Sequence, residues 1–88
     1  MNDEQIRAAM FDILKVLAPE VDTARIVRDK PLRKQIDLDS MDWLNVLEAI
    51  REKFGVTVPE TDYAKVVTLD GIVGYLAERG ASLPEARS

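Results

Sequence analysis

Apolar residues recur every three or four positions in three stretches of this 88-residue chain, the pattern of helices that bury one face. The first stretch is Ile6, Ala9, Met10, Ile13, Leu14 and Leu17. Asn2 is placed to cap it, Asp3 and Glu4 suit its positive end, and Gln5 is placed to reach back to the cap. Pro19 stops it near Ala18, because a residue before proline disfavours helical angles. The second stretch runs from about Ser40 to Phe54. Leu44, Leu47, Ile50 and Phe54 form its main stripe, Met41, Trp43, Val46 and Ala49 widen it, and Gly55 follows as a left-handed stop. The third has Thr68 as cap, Asp70 in its first turn, and Leu69, Ile72, Val73 and Leu76 on one face, with Gly80 ending it. Gly71 and Gly74 each cost roughly 1 kcal/mol against alanine inside a helix, so both are predicted where another backbone comes close.

The connections are less regular. Residues 19–39 form a long loop broken by Pro19 and Pro31. Val21, Ile26, Val27, Leu32, Ile36 and Leu38 are expected to pin it across the helices, with a short helical turn at "PLRKQI". "VTVP" reads as an extended linker, because no second run offers it a partner strand, and "ETDYAK" (60–65) as one or two helical turns. The predicted class is all-α: three main helices, a short third helix between the last two, and a long loop after the first. One domain is expected over residues 1–80, with 81–88, "ASLPEARS", as a flexible tail.

Composition narrows the chemistry. Apolar residues make up 47% of the chain, enough for a compact core but not for a deep enclosed active site. There is no cysteine and no histidine. Thiolate chemistry, Cys-based metal sites and a histidine general base are therefore excluded from this chain's own repertoire. Twelve basic residues stand against sixteen acidic ones. That balance gives no support to nucleic-acid binding and suits a partner with a basic patch. Arg25, Arg28, Lys30, Arg33 and Lys34 form a local basic cluster in the long loop. It is a solvated face, or a partner for acidic helix surfaces or a ligand phosphate. The absence of a long apolar run predicts no membrane span. A first segment without signal-peptide features predicts a cytoplasmic location.

One residue raises a sharper question. In "IDLDSMDWLNVLEAIREKF" (36–54), Ser40 stands between aspartates where the second helix opens. Serine there is a good cap, worth about 1 kcal/mol over alanine, and Asp39 or Asp42 could serve similarly. The same position would also favour a phosphate ester on the serine oxygen, since unpaired N–H groups and the helix dipole favour negative charge. A calcium loop starting at Asp37 fails: Met41 is a poor ligand at its fifth position and Asp42 replaces the required glycine at its sixth. Catalysis by Asp37, Asp39 and Asp42 lacks any pocket to hold a substrate. No metal and no catalytic residue is predicted.

"DSMD" (39–42), the amphipathic segment from Leu47 to Phe54, "GVTVPE" after it and "VVTLDGIVGYL" beyond together resemble the acyl carrier protein family. The resemblance extends from Ile6 to about Glu78. It implies a four-helix bundle in which Ser40 carries 4′-phosphopantetheine, whose thiol holds acyl groups as thioesters. It implies no enzyme activity in the chain itself. The implied partners are a phosphopantetheinyl transferase and the acyl-activating, synthase or acyltransferase enzymes of fatty acid, specialised lipid or polyketide biosynthesis, served by a monomer. Asp39, Met41, Asp42, Trp43, Asn45, Glu48 and Glu52 are the implied partner-recognition residues. Two departures point to a specialised member. The second helix mixes Asn45, Arg51 and Lys53 among its acids, and Trp43 directly follows the aspartate. Trp43 is a loop-packing residue if buried and a docking anchor if exposed. The alternative is an unmodified helical interaction domain in which Ser40 only caps a helix.

Overall fold

The computed structural model describes residues 2–80. The expected tail, 81–88, lies outside the described residues. Four α-helices carry the fold: α1 Asp3–Leu17, α2 Leu32–Gln35, α3 Ser40–Phe54 and α4 Leu69–Glu78. Two 3₁₀ segments, Thr23–Arg25 and Glu60–Val66, lie between them. The class is all-α, and the single turn α2 falls within "PLRKQI". The short helix before the last one is the 3₁₀ segment Glu60–Val66.

Helix ends follow local side-chain chemistry. At the start of α1, the Gln5 amide donates to Asn2 Oδ1 at 2.8 Å and the Asn2 amide donates to Gln5 Oε1 at 3.0 Å, completing a capping box. Ala18 closes α1 by donating its N–H to the Leu14 carbonyl. Gly55 ends α3 at φ 71°, a left-handed angle that side chains resist. Thr68 caps α4 by accepting from the Gly71 amide at 2.9 Å.

The core lies between α1, α3 and α4. Ile6, Met10, Leu14, Val46, Ile50, Ile72 and Leu76 are fully or almost fully buried there. Leu44 departs from its expected place: it is 49% exposed, because Val46, Leu47 and Ile50 already fill the inward arc of α3. Val56 and Val58 bury alternate positions of the extended linker.

The long loop is held by backbone more than by its valines. Gln35 accepts from the Val27 amide at 2.7 Å and donates to the carbonyls of Val27 at 2.8 Å and Lys30 at 3.0 Å. Leu32 donates its N–H to the Val67 carbonyl, and Asp70 donates to that of Arg28, both at 2.9 Å. Leu32, Ile36 and Leu38 are buried, and Val21 and Ile26 pack partly against the core. Val27 does not pin the loop with its side chain, which stays exposed; its peptide groups are the ones bound.

Gly71 and Gly74 part company. A methyl group on Gly71 would lie 2.6 Å from the Lys65 carbonyl oxygen, so the end of the second 3₁₀ segment presses on α4 there. Nothing lies within 4 Å of the same position on Gly74, so the close contact expected at that residue is absent.

Candidate functional site

Ser40 is the first residue of α3, not its cap. Asp39 holds the extended capping conformation, and its Oδ1 accepts from the Asp42 amide at 2.8 Å. Among the described residues the Ser40 hydroxyl has no hydrogen-bond partner, and the residue is exposed. The aspartate thus does the structural work at this helix start and leaves the serine oxygen unengaged.

Beside Ser40 opens a groove of about 460 Å³, lined by Pro31, Arg33, Ser40, Trp43, Leu44, Tyr63, Ala64 and Val67. Ser40, Trp43 and Leu44 share one face of α3 through their spacing of three and four. Trp43 is buried at 7% exposure. It floors the groove and is not the exposed docking anchor; its indole packs inward because it faces the core side of the helix start. Leu44 and Val67, both partly exposed, form apolar rims. Arg33 stands at the edge, with its Nε donating to the Leu38 carbonyl at 3.3 Å.

The remaining recognition candidates spread along the outside of α3. Met41, Asn45, Glu48 and Glu52 follow one another by four, three and four residues and are all exposed, Met41 at 71%. Asp42 is half-buried. Glu48 is engaged by Arg51, whose Nε lies 3.0 Å from its carboxylate, and that hydrogen bond holds the Glu48 carboxyl below the usual range. The outer face is therefore mixed in sign. In the basic loop, Arg28 lies 3.5 Å from Asp70 at the start of α4, an exposed pair of little energetic weight.

Sequence reasoning did not place Pro31, Tyr63, Ala64 and Val67 at the site. Tyr63 is 23 positions beyond Ser40, and no local periodicity links the two. Arg33, one of the basic cluster of the long loop that the sequence leaves as a solvated face or a partner for acidic surfaces or a phosphate, lines the same groove as the serine.

The structure thus brings together a small helical bundle, an unengaged serine at a helix start and an apolar groove beside it. Comparison with known proteins gives the family. Residues 4–76 match the family model described as phosphopantetheine attachment site. An acyl carrier protein of Helicobacter pylori (strain G27) is 33% identical over 73 residues, covering 80% of this chain and 94% of that protein. One from Acidothermus cellulolyticus is 27% identical over 82 residues, covering 93% and 96%. The meromycolate extension acyl carrier protein of Mycobacterium bovis is 24% identical over 86 residues, covering 98% and 74%.

The chain belongs to the acyl carrier protein family. Its function is that of a phosphopantetheine carrier in acyl biosynthesis, and the group it bears is covalently attached 4′-phosphopantetheine. The residues suit that group. Ser40 has an unengaged hydroxyl that would suit an ester, Arg33 among the groove's lining residues would suit a phosphate, and the remaining walls are mostly apolar. Among the described residues no helix is long and apolar enough to cross a membrane, and no three carboxylates are placed to hold a metal ion.

Proposed function

We propose that Ser40 is the attachment point and that the chain holds acyl thioesters on its arm for partner enzymes, with no catalysis of its own. The observation that carries this is the division of labour at α3: Asp39 caps the helix, and the neighbouring serine oxygen is left exposed and unpartnered beside the groove. In loading, the Ser40 oxygen forms an ester bond to the phosphorus of coenzyme A's phosphopantetheine. The bond to the adenosine bisphosphate portion breaks, and the serine proton passes to the transferase. The arm supplies the thiol that this chain lacks.

Arg33 would hold the phosphodiester, since its guanidinium is steadied by the Leu38 carbonyl at the groove edge. Trp43, Leu44, Tyr63 and Val67 would shelter the apolar part of the cargo. Met41, Leu44, Asn45, Glu48 and Glu52 present the outer face of α3 to the enzymes that load and unload the arm. Its mixed charge supports a partner surface of both signs and not a purely basic one. A phosphopantetheinyl transferase is the first such partner, followed by acyl-activating, synthase or acyltransferase enzymes.

The test is incubation with a transferase and coenzyme A, followed by intact mass spectrometry and peptide mapping. The arm's mass should appear on Ser40, and Ser40→Ala should remain unmodified while keeping its fold. Modification of Ser40→Ala, or no modification of the wild type by several transferases, would overturn the assignment.

A further inference from the structure

One wall of the groove is a 3₁₀ segment, a conformation with poorer hydrogen-bond geometry than an α-helix. Glu60–Val66 has no side-chain cap, and it packs against α4. Successive residues of a 3₁₀ helix turn by about 120°, and residues three apart eclipse. Ala64 and Val67 therefore share the groove side, while Asp62 and Lys65 point elsewhere, 3.5 Å apart.

Asp62 is turned toward α4. Its Oδ2 accepts from the Tyr75 hydroxyl at 2.6 Å, and the tyrosine is 3% exposed. Arg79 lies over the Tyr75 ring, 3.5 Å from its centroid, and reaches the same carboxylate oxygen at 3.4 Å. At the other end of the segment, the Lys65 carbonyl rests against Gly71. The wall is thus anchored at its C-terminal end, by buried Val66, the Leu32–Val67 bond and the Lys65 contact at Gly71, and by a polar tie at Asp62 nearer its start. Tyr63 and Ala64, two of the groove's lining residues, directly follow the tie.

We propose that the Asp62–Tyr75 bond fixes the position of this wall and makes both residues determinants of which acyl groups the chain holds. The inference rests on the carrier reading. With the bond in place the groove keeps its width. Without it, the segment swings on its Gly71 end and the groove admits longer or bulkier chains while shielding short ones less.

Two measurements test this. Amide hydrogen exchange on the chain without its arm should show the amides of residues 62–66 exchanging about tenfold faster in Tyr75→Phe, the loss expected for one hydrogen bond. In the second, straight-chain acyl groups of increasing length are loaded from their coenzyme A thioesters, and hydroxylamine cleavage of each is timed. Tyr75→Phe should shift best protection toward longer chains. Asp62→Asn, which keeps an acceptor for the tyrosine, should retain the wild-type profile. Val46→Ala, a core change that does not line the groove, should lower stability without shifting it. Unchanged exchange in Tyr75→Phe, an unshifted profile, or an equal shift in Val46→Ala would each overturn the proposal. Failure to load any arm would remove the carrier reading and the proposal with it; the exchange result distinguishes that outcome from failure of the tie.

Discussion

At Asp39 and Ser40 two adjacent residues of similar capping ability divide two tasks. The cap needs an extended backbone and an oxygen that reaches the amide three residues on. Asp39 has both, at φ −80° and ψ −177° with a 2.8 Å bond. Ser40 already has its backbone in the helix. Asp39→Ala should therefore cost about 1 kcal/mol of stability, while Ser40→Ala should change it by less than about 0.5 kcal/mol. Urea unfolding of the chain without its arm measures both, and equal losses would show that the serine shares the cap. The cap was only partly legible in the sequence. "DSMD" announces a helix start, but which residue stays outside the helix depends on how Leu38, buried just before, steers the chain in. That packing has no signature in the motif.

Among the elements, α3 divides its apolar residues between core and groove. Ile50 is fully buried, whereas Leu44 is 49% exposed on the groove rim. Ile50→Ala should destabilise by about 2–5 kcal/mol, and Leu44→Ala by less than about 1 kcal/mol, as read from unfolding midpoints. In α4 the two glycines should respond in opposite directions. Gly74→Ala meets open space and gains helix propensity, so it should stabilise by roughly 0.5–1 kcal/mol. Gly71→Ala would put a methyl 2.6 Å from the Lys65 carbonyl and should destabilise by roughly 1–3 kcal/mol; thermal unfolding of the two variants separates them. Helix limits were legible because caps and stripes are short-range: Asn2 with Gln5, Thr68 with Gly71, Gly55 after Phe54. The groove was not, because Tyr63 and Val67 reach Ser40 only through the packing of the second 3₁₀ segment on α4. Periodicity says which face of an element is apolar, and it is silent on which distant face will stand opposite.

For the molecule as a whole, the tie between the second 3₁₀ segment and α4 should shape stability against pH at both ends of the scale. The Tyr75 hydrogen bond, helped by Lys65 and Arg79, holds the Asp62 carboxyl below its usual range. A carboxyl depressed by folding contributes stability above its unfolded value, about 3.9, and loses that contribution as the pH falls through the lower folded value. Burial, then the bond to Asp62, pushes the Tyr75 phenol up. A proton held more tightly in the folded state gives the opposite sign: the contribution is complete below about pH 10 and is lost as the pH rises through the raised value. Glu48 is also depressed, but it sits with Arg51 on the open face of α3, where water screens the pair, so its share of the acid limb is small. Stability should therefore hold a plateau between the two limbs, with the same junction contributing to both edges. Chemical unfolding at a series of pH values tests the assignment through differences between variants. The gap between wild type and Asp62→Asn should be largest near neutrality and should close as the pH falls below about 4. The gap between wild type and Tyr75→Phe should narrow in the same acid range, since the Tyr75 bond is the chief cause of the lowered Asp62 carboxyl, and should also close above about pH 10. An Asp62→Asn gap that stayed constant from neutral pH into the acid limb would mean that Asp62 titrates alike in the folded and unfolded chain, and that its bond to Tyr75 does not favour the charged carboxylate.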